Sequence, residues 1–153
     1  MNGNVSIRDA VLSDAEVLVR FNTAIAAETE GKQLLYEKAR PGVLAVLQNP
    51  NCGFYIVAEV DGKVVGSLMV TFEWSDWRNA AFWWIQSVYV MPEFRRRGIY
   101  RTLYETVRKR AGASSKVCGL RLYVERDNTA AQATYAKLGM TEMNYRMYEK
   151  LFD

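Results

Sequence analysis

Between Val90 and Ile99 the sequence stops reading as antiparallel hairpins and starts reading as strands alternating with helices. Upstream, Asp61-Gly62 separates two runs of β-forming residues, Gly53 to Val60 and Lys63 to Phe72. That dipeptide in that setting makes a tight hairpin. A third run, Ala80 to Val90, follows the loop Glu73 to Asn79 and extends the hairpin into a meander. Downstream, Ile99, Leu103, Val107 and Ala111 recur at helical spacing. Cys118 to Val124 reads as a strand, and Asp127-Asn128-Thr129 caps a helix whose inner side carries Ala131, Tyr135 and Leu138 before Gly139 closes it. Met143 to Leu151 reads as a last strand. An antiparallel meander followed by a β-α-β-α half predicts an α/β fold around one mixed sheet flanked by helices.

The N-terminal part fits the same plan. Val5 to Arg8 is a short strand, and Ser13-Asp14-Ala15-Glu16 has the form of a capping box with serine at the N-cap. The helix it opens carries Val17, Leu18, Phe21 and Ile25 and breaks at Glu28-Thr29-Glu30-Gly31. A second helix is predicted over Arg40 to Gln48, with Pro41 in its first turn. With 153 residues and no linker or repeat, the expectation is a single domain over 1–153. The longest apolar run, Ala80 to Ile85, is too short for a bilayer, and MNGNVSIRDA lacks a signal-peptide pattern, so a cytoplasmic protein without membrane contact is expected. Cys52 and Cys118 are expected to be buried small hydrophobes. Most of the four tryptophans, all between Trp74 and Trp84, are expected in a core or an interface.

The chain has no histidine. That excludes Ser-His-Asp and Cys-His nucleophile systems, histidine metal sites and an imidazole base, and with two cysteines no metal site is expected. Proton transfer falls to carboxylates, tyrosines, lysines or water. Charge is unevenly spread: Pro92 to Arg110 holds seven basic and two acidic residues, while the rest holds thirteen basic and fifteen acidic. A nucleic-acid binder spreads its basic residues over a face, so this points to a local anion site and away from nucleic acid.

The anion site has a recognisable form. Val88 to Val90 is strand, Arg95-Arg96-Arg97-Gly98 is a basic turn, and Ile99-Tyr100-Arg101 starts a helix. A helix N-terminus offers unpaired N–H groups and partial positive charge to a phosphate, and glycine allows close backbone approach. A solvated basic turn would have the same composition.

Arg95-x-x-Gly98-x-Tyr100 resembles the acyl-CoA-binding motif of the GNAT superfamily of N-acetyltransferases, Arg/Gln-x-x-Gly-x-Gly/Ala, departing at its last position. Asn128 through Tyr135 to Gly139-Met140 resembles the second motif of that family, and the order of elements agrees over the whole chain. The resemblance implies acetyl-CoA as cosubstrate, no metal, and an amine acceptor, and leaves a homodimer open. It implies that main-chain groups of Val88 and Val90 hold the pantetheine arm where the central strand splays from its neighbour. Backbone N–H groups from Arg96 to Arg101 would cradle the pyrophosphate, with arginine side chains assisting. Asn128 would contact the cofactor arm, or simply cap its helix. Tyr135 would sit beside the sulfur, or be a core aromatic. Arg96 stands where the family often has glycine, and Tyr100, replacing the last small residue, can point outward.

An amine with a pKa of about 10.4 is roughly one part in 2,500 neutral at pH 7, so a base or water relay is needed. Many family members place a glutamate on the central strand, where this chain has Gln86, which with Ser87 could order a water. The other candidate bases are Glu28 and Glu30 after the first helix, and Glu73 and Asp76 in the loop, each also explicable as a solvated carboxylate. These four are expected to flank the acceptor, which in this family enters between the first helix pair and the central strands. The stretch from Glu73 to Met91 also resembles spermidine/spermine N-acetyltransferases without their glutamate, which makes a polyamine-like acceptor one option. The expected reaction is direct attack in a ternary complex; a CoA-binding module without catalysis is the rival, suggested by Gln86.

Overall fold

A computed structural model describes residues 3–152, which divide after Leu122 into two compact units. The first unit is built on a five-stranded sheet in the order β1-β2-β3-β4-β5, with β1 Val5–Asp9, β2 Phe54–Val60, β3 Lys63–Ser75, β4 Ala80–Val90 and β5 Val117–Arg121. The first four strands pair antiparallel and β5 pairs parallel to β4. A parallel pair needs a crossover, which helix α3, Ile99–Gly112, supplies. The mixed sheet with an antiparallel N-terminal meander is the one anticipated from the sequence.

Asp61 and Gly62 both take positive φ, 51° and 77°, and Val60 pairs directly with Lys63. This is the two-residue turn whose twist suits a hairpin. Cross-strand pairs share a face of the sheet, so the register sorts the side chains. Tyr55 and Val57 of β2 pack against Ala15, Leu18 and Val19 of helix α1, Ala15–Glu30, and Val43 of helix α2, Tyr36–Gln48. Their partners Met69 and Ser67, and in turn Gln86 and Tyr89, look to that same side. The opposite face meets α3, whose Ile99, Leu103 and Val107 are buried and contribute about 1.5–3 kcal/mol each by leaving water.

Several boundaries differ from expectation. Helix α1 starts at Ala15 after a short 3-10 turn over Leu12–Asp14, and Asp14, not Ser13, is its N-cap residue. Asp14 accepts the Val11 N–H at 2.7 Å and two N–H groups of Arg8, while Glu16 reaches Arg40 at 2.7 Å and the Tyr36 hydroxyl. The glutamate that the capping-box reading turned back on Ser13 thus ties α1 to α2. That tie also explains why α2 begins four residues before Arg40 and carries Pro41 inside. Strand β3 runs on to Ser75, so Glu73 and Trp74 lie on a strand and only residues 76–79 form the loop. Trp77 is 90% and Trp74 63% exposed, so neither lies in the core, while Trp83 and Trp84 are half-buried. Cys52, in the turn after α2, and Cys118, on β5, are both exposed rather than buried.

The second unit, described by itself, contains helix α4, Thr129–Lys137. Ala131, Tyr135 and Leu138 form a half-buried stripe along and just past it, as the spacing predicts. Gly139, at φ 86°, turns the chain so that the Met140 N–H donates to the Tyr135 carbonyl. Residues 143–151 carry no strand pairing among the described residues, against the expected last strand. Met143, Tyr145, Met147 and Tyr148 are all exposed there, so the alternating pattern has no buried face to fix a register. Among the described residues no helix is long and apolar enough to cross a membrane.

Candidate active site

Strand β4 is where the site is built. Its ladder with β5 ends at Trp84 and Arg121, so beyond Trp84 the edge of β4 has no sheet partner among the described residues. On its other edge, Ser67 pairs with Tyr89 and Met69 with Gln86, leaving Leu68 opposite both Ser87 and Val88. Ser87 takes φ 49° at this bulge. A bulge bends the strand and re-aims its side chains. The splay places Val88 and Val90 on the parted segment. One of its acceptors is already taken, because Arg95 Nε donates to the Val90 carbonyl at 2.8 Å.

The strand leads into the basic turn. Arg96 at φ 63° and Gly98 at φ 77° are both left-handed. For a residue with a side chain this costs about 1–2 kcal/mol, which explains the glycine preference at Arg96. Among the described residues nothing lies within 4 Å of where a Cβ on Gly98 would sit, so what this glycine visibly supplies is its backbone angle. It is the N-cap of α3, which has no side-chain cap and no acidic residue in its first turn. Arg96, Arg97 and Arg101 are exposed and form no ion pair among the described residues, whereas Arg95 is turned away to Val90 and to Glu28, at 2.9 Å. Uncapped N–H groups beside three exposed guanidiniums, of which that of Arg97 lies 5.1 Å from the Phe94 ring centre, suit a doubly charged phosphate group. Tyr100 does not point outward: its ring is half-buried and its hydroxyl is inside.

The four carboxylates expected around the acceptor are not brought together. Glu28 pairs with Arg95 and Glu30 with Lys32 at 3.3 Å. Glu73 binds Arg121 of β5, whose guanidinium lies 3.6 Å from the Phe82 ring centre, and accepts from Trp84 Nε1. Asp76 accepts the Trp77 N–H inside its own loop. Gln86 donates its amide to Thr71 Oγ1 at 2.6 Å. In the second unit, Asn128 Oδ1 accepts the Ala131 N–H at 3.1 Å, so it does cap α4, and Tyr135 is half-buried.

A cavity of about 470 Å³ opens instead on the α1–α2 side of the sheet. It is lined by Asn22 of α1, by Leu34, Leu35 and Val43 before and within α2, and by Tyr55, Met69 and Ser87 of the sheet. Asn22 Nδ2 donates to the Tyr55 hydroxyl at 3.4 Å, and burial pushes that phenol above its ordinary pKa. Tyr89, stacked on Phe21 with ring centres 4.8 Å apart, is also pushed up, first by burial and then by Glu28. Both phenols stay neutral at pH 7 and serve as hydrogen-bonding groups. Ser87 joins the parted strand to the cavity. Sequence reasoning singled out Gln86-Ser87 but missed Asn22 and Tyr55, which read as ordinary members of a helix and a strand.

The acetyltransferase (GNAT) family model matches residues 19–140. The chain belongs to the GNAT acetyltransferase family. A "possible acetyltransferase" from Clostridium difficile 630 is 44% identical, with a TM-score of 0.92 over 97% of this chain and 98% of that one. The ribosomal-protein-alanine N-acetyltransferase from Brucella melitensis biovar Abortus 2308 shares the fold at 19% identity and TM-score 0.76, over 97% of this chain and all of that one. An aminoglycoside N-acetyltransferase solved with CoA shares it at 16% identity and TM-score 0.77, over 99% and 97%. No curated protein matches the sequence. In this GNAT acetyltransferase, β4 leads through residues 95–98 into α3.

Proposed function

We propose that this GNAT acetyltransferase moves an acetyl group from acetyl-CoA to a primary amine by direct attack in a ternary complex. The observation that carries the reading is the continuity of β4: one strand runs from Ser87 at the cavity, along an edge without a sheet partner among the described residues, to the uncapped basic start of α3. The donor set fits acetyl-CoA, with free strand amides for its pantetheine arm and helix N–H groups with Arg96, Arg97 and Arg101 for its pyrophosphate. Family membership and the CoA complex of the aminoglycoside enzyme support the same assignment. When bound, acetyl-CoA supplies a thioester carbon at which a C–N bond forms as the C–S bond breaks, the thiolate then taking a proton.

The chain's own residues must remove the amine proton and steady the sulfur. The cavity lining holds no carboxylate among the described residues. Deprotonation therefore runs through water ordered by Ser87 and Gln86, against a cost of about 4.6 kcal/mol at pH 7 for an ordinary amine. Tyr135 is assigned to the sulfur. A hydrogen bond to the charge developing on sulfur is its role. The second reading, a CoA-binding module without turnover, is favoured by Gln86 alone. Amine-dependent release of CoA thiol decides between them. Release that rises with amine, with no stable acetyl-protein after incubation with labelled acetyl-CoA, is expected. Stabilisation by acetyl-CoA with no amine-dependent release would establish the binding module.

A further inference from the structure

We propose that the acceptor is a small primary amine on an apolar body with no second positive charge, its far end neutral or anionic. This rests on the cavity being the acceptor site of the acetyltransferase reading. A volume of about 470 Å³ is that of a small-molecule site, and Leu34, Leu35, Val43, Val46 and Met69 give it an apolar wall. Its uncharged polar groups are Gln33 before α2, Asn22 bonded to the Tyr55 hydroxyl, and Ser87 at the bulge of β4, and the last three can position one amine. Among the described residues the lining has no aspartate or glutamate, and its one charged member is Lys38, exposed at the mouth on α2.

A charge set against an apolar wall loses hydration and needs a partner. The reacting nitrogen escapes that requirement, because it must lose its proton to attack. A second ammonium on the same ligand does not escape it: Glu16, Glu28 and Glu30 are paired to Arg40, Arg95 and Lys32, and Glu37 of α2 does not line the cavity. Lys38 would repel such a group at the mouth and attract a carboxylate there.

The test uses acceptors of matched length with acetyl-CoA. Hexylamine and cadaverine have the same number of heavy atoms and differ in a terminal methyl against a terminal ammonium; 6-aminohexanoate adds the anionic end. The parent protein should favour hexylamine over cadaverine by at least about tenfold in kcat/KM. Lys38→Glu should raise cadaverine and lower 6-aminohexanoate severalfold. Gly42→Phe tests the site independently. Gly42 lines the cavity within α2, nothing among the described residues lies within 4 Å of its Cβ position, and glycine is the weaker helix former. That variant should fold and be stabilised by acetyl-CoA as the parent is, yet lose acceptor turnover. Cadaverine or spermidine preferred over hexylamine in the parent would overturn this inference while leaving amine acetylation intact. Turnover of no amine by a parent that binds acetyl-CoA would overturn the proposed function, and this inference with it.

Discussion

Arg95 donates its Nε–H to the carbonyl oxygen of Val90 at 2.8 Å, so the first arginine of the basic turn is folded back onto the strand it follows. Its guanidinium also lies 5.4 Å from the Tyr89 ring centre and reaches Glu28 of α1. Arg95 is thereby a strut that sets the turn, and the charge offered to an anion comes from Arg96, Arg97 and Arg101. Arg95→Ala should cost about 1–2 kcal/mol of stability and weaken CoA binding. Glu28→Gln removes only a half-exposed ion pair, worth under about 1 kcal/mol, and should leave the pH–rate profile in place. Calorimetric CoA titration and a pH series on both variants check this; loss of the profile's acid limb in Glu28→Gln would make Glu28 the base.

Two neighbouring left-handed residues should respond to substitution with opposite signs. Arg96→Gly removes a side chain from a strained angle, and should raise stability by about 0.5–1 kcal/mol after glycine's own entropy is counted. Gly98→Ala introduces the same strain and should lower stability by about 1 kcal/mol. Thermal melts of both variants, with and without CoA, measure the pair. Alanine at 98 suits the test better than valine, whose β-branch would unfold the turn before binding could be read.

The meander and the β-α-β half were legible because each rests on local chemistry: Asp61-Gly62 dictates its own turn, and Ile99, Leu103 and Val107 repeat at helical spacing. The basic turn and the helix start at Ile99 were legible for the same reason, since turn, glycine and helix start are contiguous. What was not legible depends on contacts distant in sequence. Nothing local shows that Glu73 will be claimed by Arg121 or Glu28 by Arg95, so two carboxylates looked available that are already paired across the fold. Nor does a serine inside an apolar run announce a positive φ; Ser87 bulges because β4 must pair with β3 on one side and part from β5 on the other.

Gln86→Glu restores a carboxylate on the face of β4 that looks toward α1 and α2. Gln86 now donates to Thr71 Oγ1, and because a hydroxyl can rotate to donate instead, glutamate can keep the contact. With a base in place of a water relay, kcat/KM at pH 6–7 should rise by about tenfold or more, the low end for general-base catalysis. Flat activity across that range in a folded variant would show that water is not the limiting base.

Tyr135→Phe deletes one hydroxyl from the half-buried stripe of α4. If the phenol steadies the thiolate, kcat should fall by about tenfold to a hundredfold while CoA affinity changes little, since the interaction grows only as charge reaches sulfur. Steady-state kinetics beside CoA titration separate this from a packing role, in which melting temperature falls and kcat does not.

The acid limb of stability should belong largely to Asp14. Its side chain is buried and its carboxyl is held below the ordinary value, first by hydrogen bonds from Arg8 and then, against the opposing effect of burial, by the Val11 N–H. A depressed carboxyl contributes stability that is complete above its unfolded pKa, roughly 3.9, and is lost as pH falls through the lower folded value. Asp14→Asn should therefore be less stable than the parent by about 2 kcal/mol at pH 7, and the gap should close below about pH 4 as the parent's carboxyl is protonated. Urea melts of both proteins between pH 7 and pH 3 measure the gap. A difference that stays constant through that range would show that Asp14 acts through shape and hydrogen bonding alone, without its charge.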